Sequence, residues 1–194
     1  MKNIITTFAL KDEYVNLAFP ECDSLTVITG VGKINSCMRL LEAMEGRSID
    51  LVLNIGTAGT KEYQVGDILV CTSFIDRDYE QTRLPGLGFE TETNIDALPA
   101  HIRQWKSKIN GQYTNKTYTV NTGDNFVTDL QNFKGDAVDM EAYAQAIVCR
   151  EKKIPFLSVK YITDIIGYNS VSAWQDKLAD ARNALTEYFK EKTL

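Results

Sequence analysis

The chain reads as a single α/β domain over residues 1–194, built on a mixed, mainly parallel central sheet flanked by helices. Three observations predict this. Residues 50–55, 67–74 and 154–163 are nearly continuous apolar runs, the pattern of strands buried on both faces by covering helices. Apolar residues at helical spacing recur at 34–44, 141–151 and 173–191, between or after those strands. Polar punctuation then follows the strands at Gly56-Thr57-Ala58-Gly59, Thr122-Gly123-Asp124-Asn125 and Thr163-Asp164. Ligands of parallel sheets bind at such strand ends.

Taken in order, residues 2–9 form a short buried strand. Lys11 to Leu17 then reads as a helix start, with Asp12 and Glu13 suited to the positive end of its dipole. Leu25–Thr29 is a β-rich run leading into Gly30-Val31-Gly32-Lys33, a turn before the helix at 34–44, which Gly46 closes. Val65-Gly66-Asp67 introduces the third strong strand. Residues 76–100 are polar, hold Gly and Pro, and read as long loops, which are often functional. Helical spacing resumes around 98–108, and Tyr113–Asn121 alternates like one strand. Residues 137–140 are a short strand or strand end, and 141–151 is a helix. A buried strand over 154–163 and a C-terminal amphipathic helix over 173–191 complete the chain.

Composition excludes several classes. The net charge of −5 leaves no basic stripe for nucleic acid. No apolar run approaches the length of a membrane span, and the strand-like Asn3-Ile4-Ile5-Thr6-Thr7 leaves no room for a leader's apolar segment. Cys22, Cys37, Cys71 and Cys149 are scattered with no CxxC, which suits reduced thiols in a cytoplasmic protein. The single histidine, His101, lies in a polar stretch, so neither a metal site nor a histidine base is expected.

Chemistry must then rest on carboxylates. Val138-Asp139-Met140-Glu141-Ala142 puts two acids among apolar neighbours at the start of a buried helix, and burying charge without partners is costly. Asp164 follows an apolar strand, where burial can raise an acid's pKa and let it hold a proton for a leaving group. With Glu13, these acids match the division of labour in glycosidic cleavage: one donates a proton, one orients water, one grips sugar hydroxyls. The plainer alternatives are a helix-dipole partner for Glu13 and Glu141 and a cap or turn acid for Asp164.

Five motifs occur in order: Asn54-Ile55-Gly56-Thr57-Ala58-Gly59, Val65-Gly66-Asp67-Ile68, Thr122-Gly123-Asp124-Asn125-Phe126-Val127, Val138-Asp139-Met140-Glu141-Ala142 and Ile162-Thr163-Asp164. Together they resemble the nucleoside phosphorylase superfamily, of the purine nucleoside and uridine phosphorylase type. The similarity is closest to the 5′-methylthioadenosine/S-adenosylhomocysteine nucleosidase branch. It implies a nucleoside phosphorylase-like fold and no cofactor, with a small nucleoside as partner and a homodimer as assembly. It further implies that Glu13 positions the attacking water, Glu141 holds the ribose hydroxyls beside Met140, and Asp164 protonates the purine at N7. Phe126 stacks on the base and Val127 offers it backbone hydrogen bonds. Thr57, with Ala58 and Gly59, stands beside the nucleophile. Trp174 covers the 5′ substituent, and Asp139 is a supporting acid.

The chain departs from the family pattern at Asn54 and Lys160, where many members carry arginine, and at Leu10 and Asp139, where Met and Glu are usual. Acids at Asp12 and Glu13 would repel a phosphate, which favours water as nucleophile. The expected activity is therefore hydrolysis of a purine N-ribosidic bond. The alternatives are a phosphate-dependent phosphorylase and a nucleoside-binding protein that has lost turnover.

Overall fold

The computed structural model describes residues 3–17, 19, 22–82, 84–129, 133–168 and 170–190. Lys2 and Glu191, the expected outer limits of the first strand and the last helix, lie outside them. In chain order the elements are β1 (Asn3–Phe8), β2 (Asp23–Ile28), α1 (Lys33–Met44), β3 (Leu51–Thr60), β4 (Ile68–Asp76) and α2 (Arg77–Thr82). They continue with β5 (Glu90–Glu92), α3 (Ala100–Arg103), β6 (Ser107–Ile109), β7 (Gln112–Thr114), β8 (Tyr118–Thr122) and β9 (Ala137–Asp139). Helix α4 (Ala142–Lys152), β10 (Phe156–Ile165) and α5 (Ser170–Lys190) follow.

The expected α/β architecture is present, on one mixed sheet of 10 strands among the described residues. Strands β2, β1, β3 and β10 run parallel side by side, and β4, β8 and β9 form a second parallel run. The two runs meet through antiparallel pairs, β10 with β4 and β3 with β9. The pairings β3–β9–β8–β4–β10 therefore return to β3, so the centre of the sheet closes on itself as a ring. Within that ring closure removes exposed backbone edges, while β2 and β7 remain at the ends of the sheet.

Two apolar clusters pack the faces. One buries Ala181, Leu185, Tyr188 and Phe189 of α5 against Ile4, Leu53, Ile55 and Val159. The other buries Leu40 and Met44 of α1 and Ala142, Ala146 and Cys149 of α4 against Ile5, Val52 and Leu69. Full burial of each Leu or Ile contributes about 1.5–3 kcal/mol, so both helical layers are firmly held.

Several local expectations are corrected. The segment after β1 is one 3-10 turn, Lys11–Glu13, and not a helix to Leu17. Glu13 turns inward there, and its Oε2 accepts from the Leu10 N–H at 3.2 Å, which closes the turn at once. The stretch Gly56–Gly59 does not follow a strand ending at Ile55, because β3 runs through it to Thr60, paired with β10 and β9. Asp164 lies within β10 and does not follow it. The 76–100 region carries α2, β5 and a 3-10 turn at Ile95–Ala97, because Thr91 is buried and β5 pairs with β4. The helix expected at 98–108 is the single turn of α3, followed by β6, and the strand expected at 113–121 is divided into β7 and β8. Both differences come from non-local pairing: β6 and β7 form a hairpin on the edge of β4.

Candidate active site

A cleft of about 640 Å³, partly open to solvent, lies where the ends of β3, β9 and β10 meet the 3-10 turn and α5. Every candidate residue lines it: Glu13, Thr57, Ala58, Gly59, Phe126, Val127, Asp139, Met140, Glu141, Asp164 and Trp174.

Glu13 is buried and well held. Its Oε1 accepts from the Thr57 N–H at 3.0 Å and the Thr57 hydroxyl at 2.6 Å, while Oε2 accepts from Leu10. Asp164 is also buried, with Oδ1 accepting from the Thr163 hydroxyl at 2.9 Å. A bulge re-aims it: Ile162 pairs with Ala58 and Asp164 with Gly59, so Thr163 is the extra residue. The acid presses so closely on β3 that a Cβ on Gly59 would lie 2.8 Å from its Oδ2. Glycine is required there for space.

Glu141 sits at the N-cap of α4, but its side chain does not cap that helix. Its Oε1 instead accepts from the Gly32 N–H, 2.9 Å away at the start of α1. Gly32 has φ 94, a conformation other residues rarely adopt, and this aims its N–H at the carboxylate. The carboxyl is pushed up to about 8, first by burial and then by the Asp139 charge. Asp139 is the acid that caps α4, accepting from the Ala142 N–H at 2.9 Å and the Thr122 hydroxyl at 2.5 Å. It also pairs with Lys160 at 2.8 Å, both side chains almost wholly buried. Burial alone would lower the Lys160 pKa, but the Asp139 and Glu141 charges outweigh it and raise it.

The aromatic wall is shared. Phe126 and Trp174 meet edge to face at 6.1 Å. The Trp174 indole N–H donates to Thr57 Oγ1 at 2.9 Å. Val127 and Val138 add an apolar patch packed on Phe133 and Ile166.

Sequence reasoning missed Arg77, Asn125 and Val31, which also line the cleft. Arg77 is buried; its Nη1 donates to the Asn121 carbonyl and its Nη2 to the Asn125 carbonyl, both at 2.9 Å. It thereby grips both ends of the turn that presents Phe126 and Val127. The available signal was an arginine directly after a strongly apolar strand, within a stretch read as loop. Among the described residues, no group of three or more His, Cys, Asp or Glu is arranged to hold a metal ion, and no helix is long and apolar enough to cross a membrane.

The family model described as "Phosphorylase superfamily" matches residues 21–191. The chain belongs to the phosphorylase superfamily. Among superfamily relatives, the 5′-methylthioadenosine/S-adenosylhomocysteine nucleosidase of Bacillus velezensis is 27% identical over 192 residues, covering 90% of this chain and 82% of that protein. The Helicobacter pylori 5′-methylthioadenosine/S-adenosylhomocysteine nucleosidase superposes with a TM-score of 0.80 at 19% identity, covering 98% of this chain and 97% of that one. The futalosine hydrolase of Helicobacter pylori superposes equally well, with a TM-score of 0.80 at 18% identity and the same coverage of both chains. These two likenesses establish the superfamily fold.

Proposed function

We propose that this protein hydrolyses the N-ribosidic bond of a purine nucleoside of the 5′-methylthioadenosine or S-adenosylhomocysteine type, releasing free base and a ribose derivative. The observation that carries the reading is the convergence of three buried carboxylates, Glu13, Glu141 and Asp164, from distant parts of the chain on one cleft. Bacterial relatives named for that activity support it.

In this reading the nucleoside base stacks on Phe126 and takes hydrogen bonds from the Val127 backbone. Glu141 holds the ribose hydroxyls beside Met140. Asp164 delivers a proton to N7, so that the base leaves neutral, an effect of about 10²–10⁴-fold. Glu13, held by Thr57, positions the attacking water. Positive charge that grows on the sugar meets the Glu13 carboxylate, which favours the transition state electrostatically. Trp174 covers the 5′ end.

Water is preferred to phosphate because Arg77, a cation of the cleft wall, already spends its Nη groups on backbone carbonyls. Asn54, where a phosphate-holding arginine would stand, is buried and accepts from the Ser158 hydroxyl. The reading includes a homodimer. Ile34, Met38 and Leu41 stand exposed along one face of α1, apolar surface that a second copy would cover.

The test is a panel of purine nucleosides with varied 5′ groups, assayed for free base with and without inorganic phosphate. Release independent of phosphate is expected. Strict dependence on phosphate would make the protein a phosphorylase, and tight binding without release would make it a binding protein.

A further inference from the structure

We propose that Trp174 is a positioning residue for the water-holding carboxylate, acting through Thr57, in addition to any role as a cover. The inference rests on the hydrolase reading above and deepens it.

Proton direction carries the argument. An indole N–H can only donate, and a Thr hydroxyl has one proton and two lone pairs. Because Trp174 donates to Thr57 Oγ1 at 2.9 Å, that oxygen is an acceptor towards the indole. Its single proton is then left for Glu13 Oε1, 2.6 Å away. The chain of donation runs one way, from Trp174 to Thr57 to Glu13.

This has a consequence at the carboxylate. An ionised carboxylate offers about four acceptor sites. Oε1 receives two donors, the N–H and the hydroxyl of Thr57, and Oε2 receives one, the Leu10 N–H. The remaining capacity lies on Oε2, so the nucleophilic water has one preferred place to bind. Without the indole, the Thr57 hydroxyl is free to turn and to donate elsewhere. Oε1 then competes for the water, and its orientation towards the sugar is less defined.

The arrangement also ties α5 to the chemistry. Trp174 stands in the second turn of α5, and Arg182 of the same helix reaches the Asp12 carbonyl in the turn that carries Glu13. The helix that walls the mouth of the cleft is therefore joined to the turn that holds the water directly at Asp12 and through Thr57 at Glu13.

The experiment compares wild type, W174F, T57V and the double variant W174F/T57V on the best nucleoside of the panel, without phosphate. Phenylalanine keeps the aromatic cover and removes the donor. The expected result for W174F is a kcat lowered roughly 3–10-fold, as for loss of one hydrogen bond, with KM within about twofold. In the T57V background W174F should cost nothing further in kcat. A residue that only covers the substrate would raise KM, leave kcat unchanged, and add its effect to that of T57V; that pattern overturns the proposal. A readout independent of activity is the Trp174 indole N–H resonance in the free protein, assigned by its loss in W174F. It should shift upfield and lose protection from exchange in T57V, and an unchanged signal refutes the tether. If wild type releases no base without phosphate, the hydrolase reading fails, and the indole resonance still decides whether the tether exists.

Discussion

Glu141 gives the sharpest physical test. Its carboxyl is held at about 8, against 4.5 for an unperturbed glutamate, because burial and the neighbouring Asp139 both oppose its charge. Between those two pH values the unfolded chain has released a proton that the folded chain still binds. The unfolded state then binds fewer protons, so unfolding free energy falls as pH rises. The contribution is fully present below about pH 4.5 and is lost as pH climbs through about 8. At 1.36 kcal/mol per pH unit, the whole rise is worth roughly 5 kcal/mol. Replacing Glu141 with Gln keeps the shape and an oxygen to accept from Gly32, but removes the titrating group. Urea unfolding of both proteins, from about pH 5 to about pH 8, reads the difference directly. The Glu141→Gln protein should gain on wild type by several kcal/mol across that range. A stability difference that stays constant with pH would refute the placement of a protonated carboxyl at this position.

Asp164→Asn should lower base release by at least about 10²-fold with an unchanged circular dichroism spectrum, since Asn can still accept from Thr163 but has no proton to deliver; surviving activity would remove Asp164 from the role of acid. Gly59→Ala sets a Cβ 2.8 Å from the Asp164 carboxylate, so it should cost about 1–3 kcal/mol in thermal or urea unfolding and displace the acid enough to depress kcat. Lys160→Met leaves Asp139 buried without its cation and should destabilise the fold by about 3–5 kcal/mol, read as a lower urea midpoint. Arg77→Met frees the 121–125 turn, and should raise KM more than it lowers kcat if that turn presents the base-stacking wall.

Much of the fold was written in local pattern. Continuous apolar runs at 50–55, 67–74 and 154–163 could only be strands covered on both sides, and the helical stripes between them dictated the covering layers. Asp139, Glu141 and Asp164 were legible too, because acids among apolar neighbours are costly and stand out, whereas the other candidate residues rested on the family resemblance. Tertiary contact decided the rest. Nothing local says that β10 pairs with both β3 and β4 and closes the sheet, since partners so far apart in sequence are chosen by packing. The glycine-rich run at 56–59 carries turn residues, yet it is strand, because Asp164 leaves no room for a side chain at Gly59 and the ladder to β10 continues past it. The partnership of Asp139 with Lys160, the capture of Glu141 by Gly32 and the tether from Trp174 to Thr57 join residues from different ends of the chain. Sequence alone determined that acids would be buried. The three-dimensional structure determined which partners make that burial tolerable, because a charge in a low-dielectric interior is stabilised only by groups within hydrogen-bond reach.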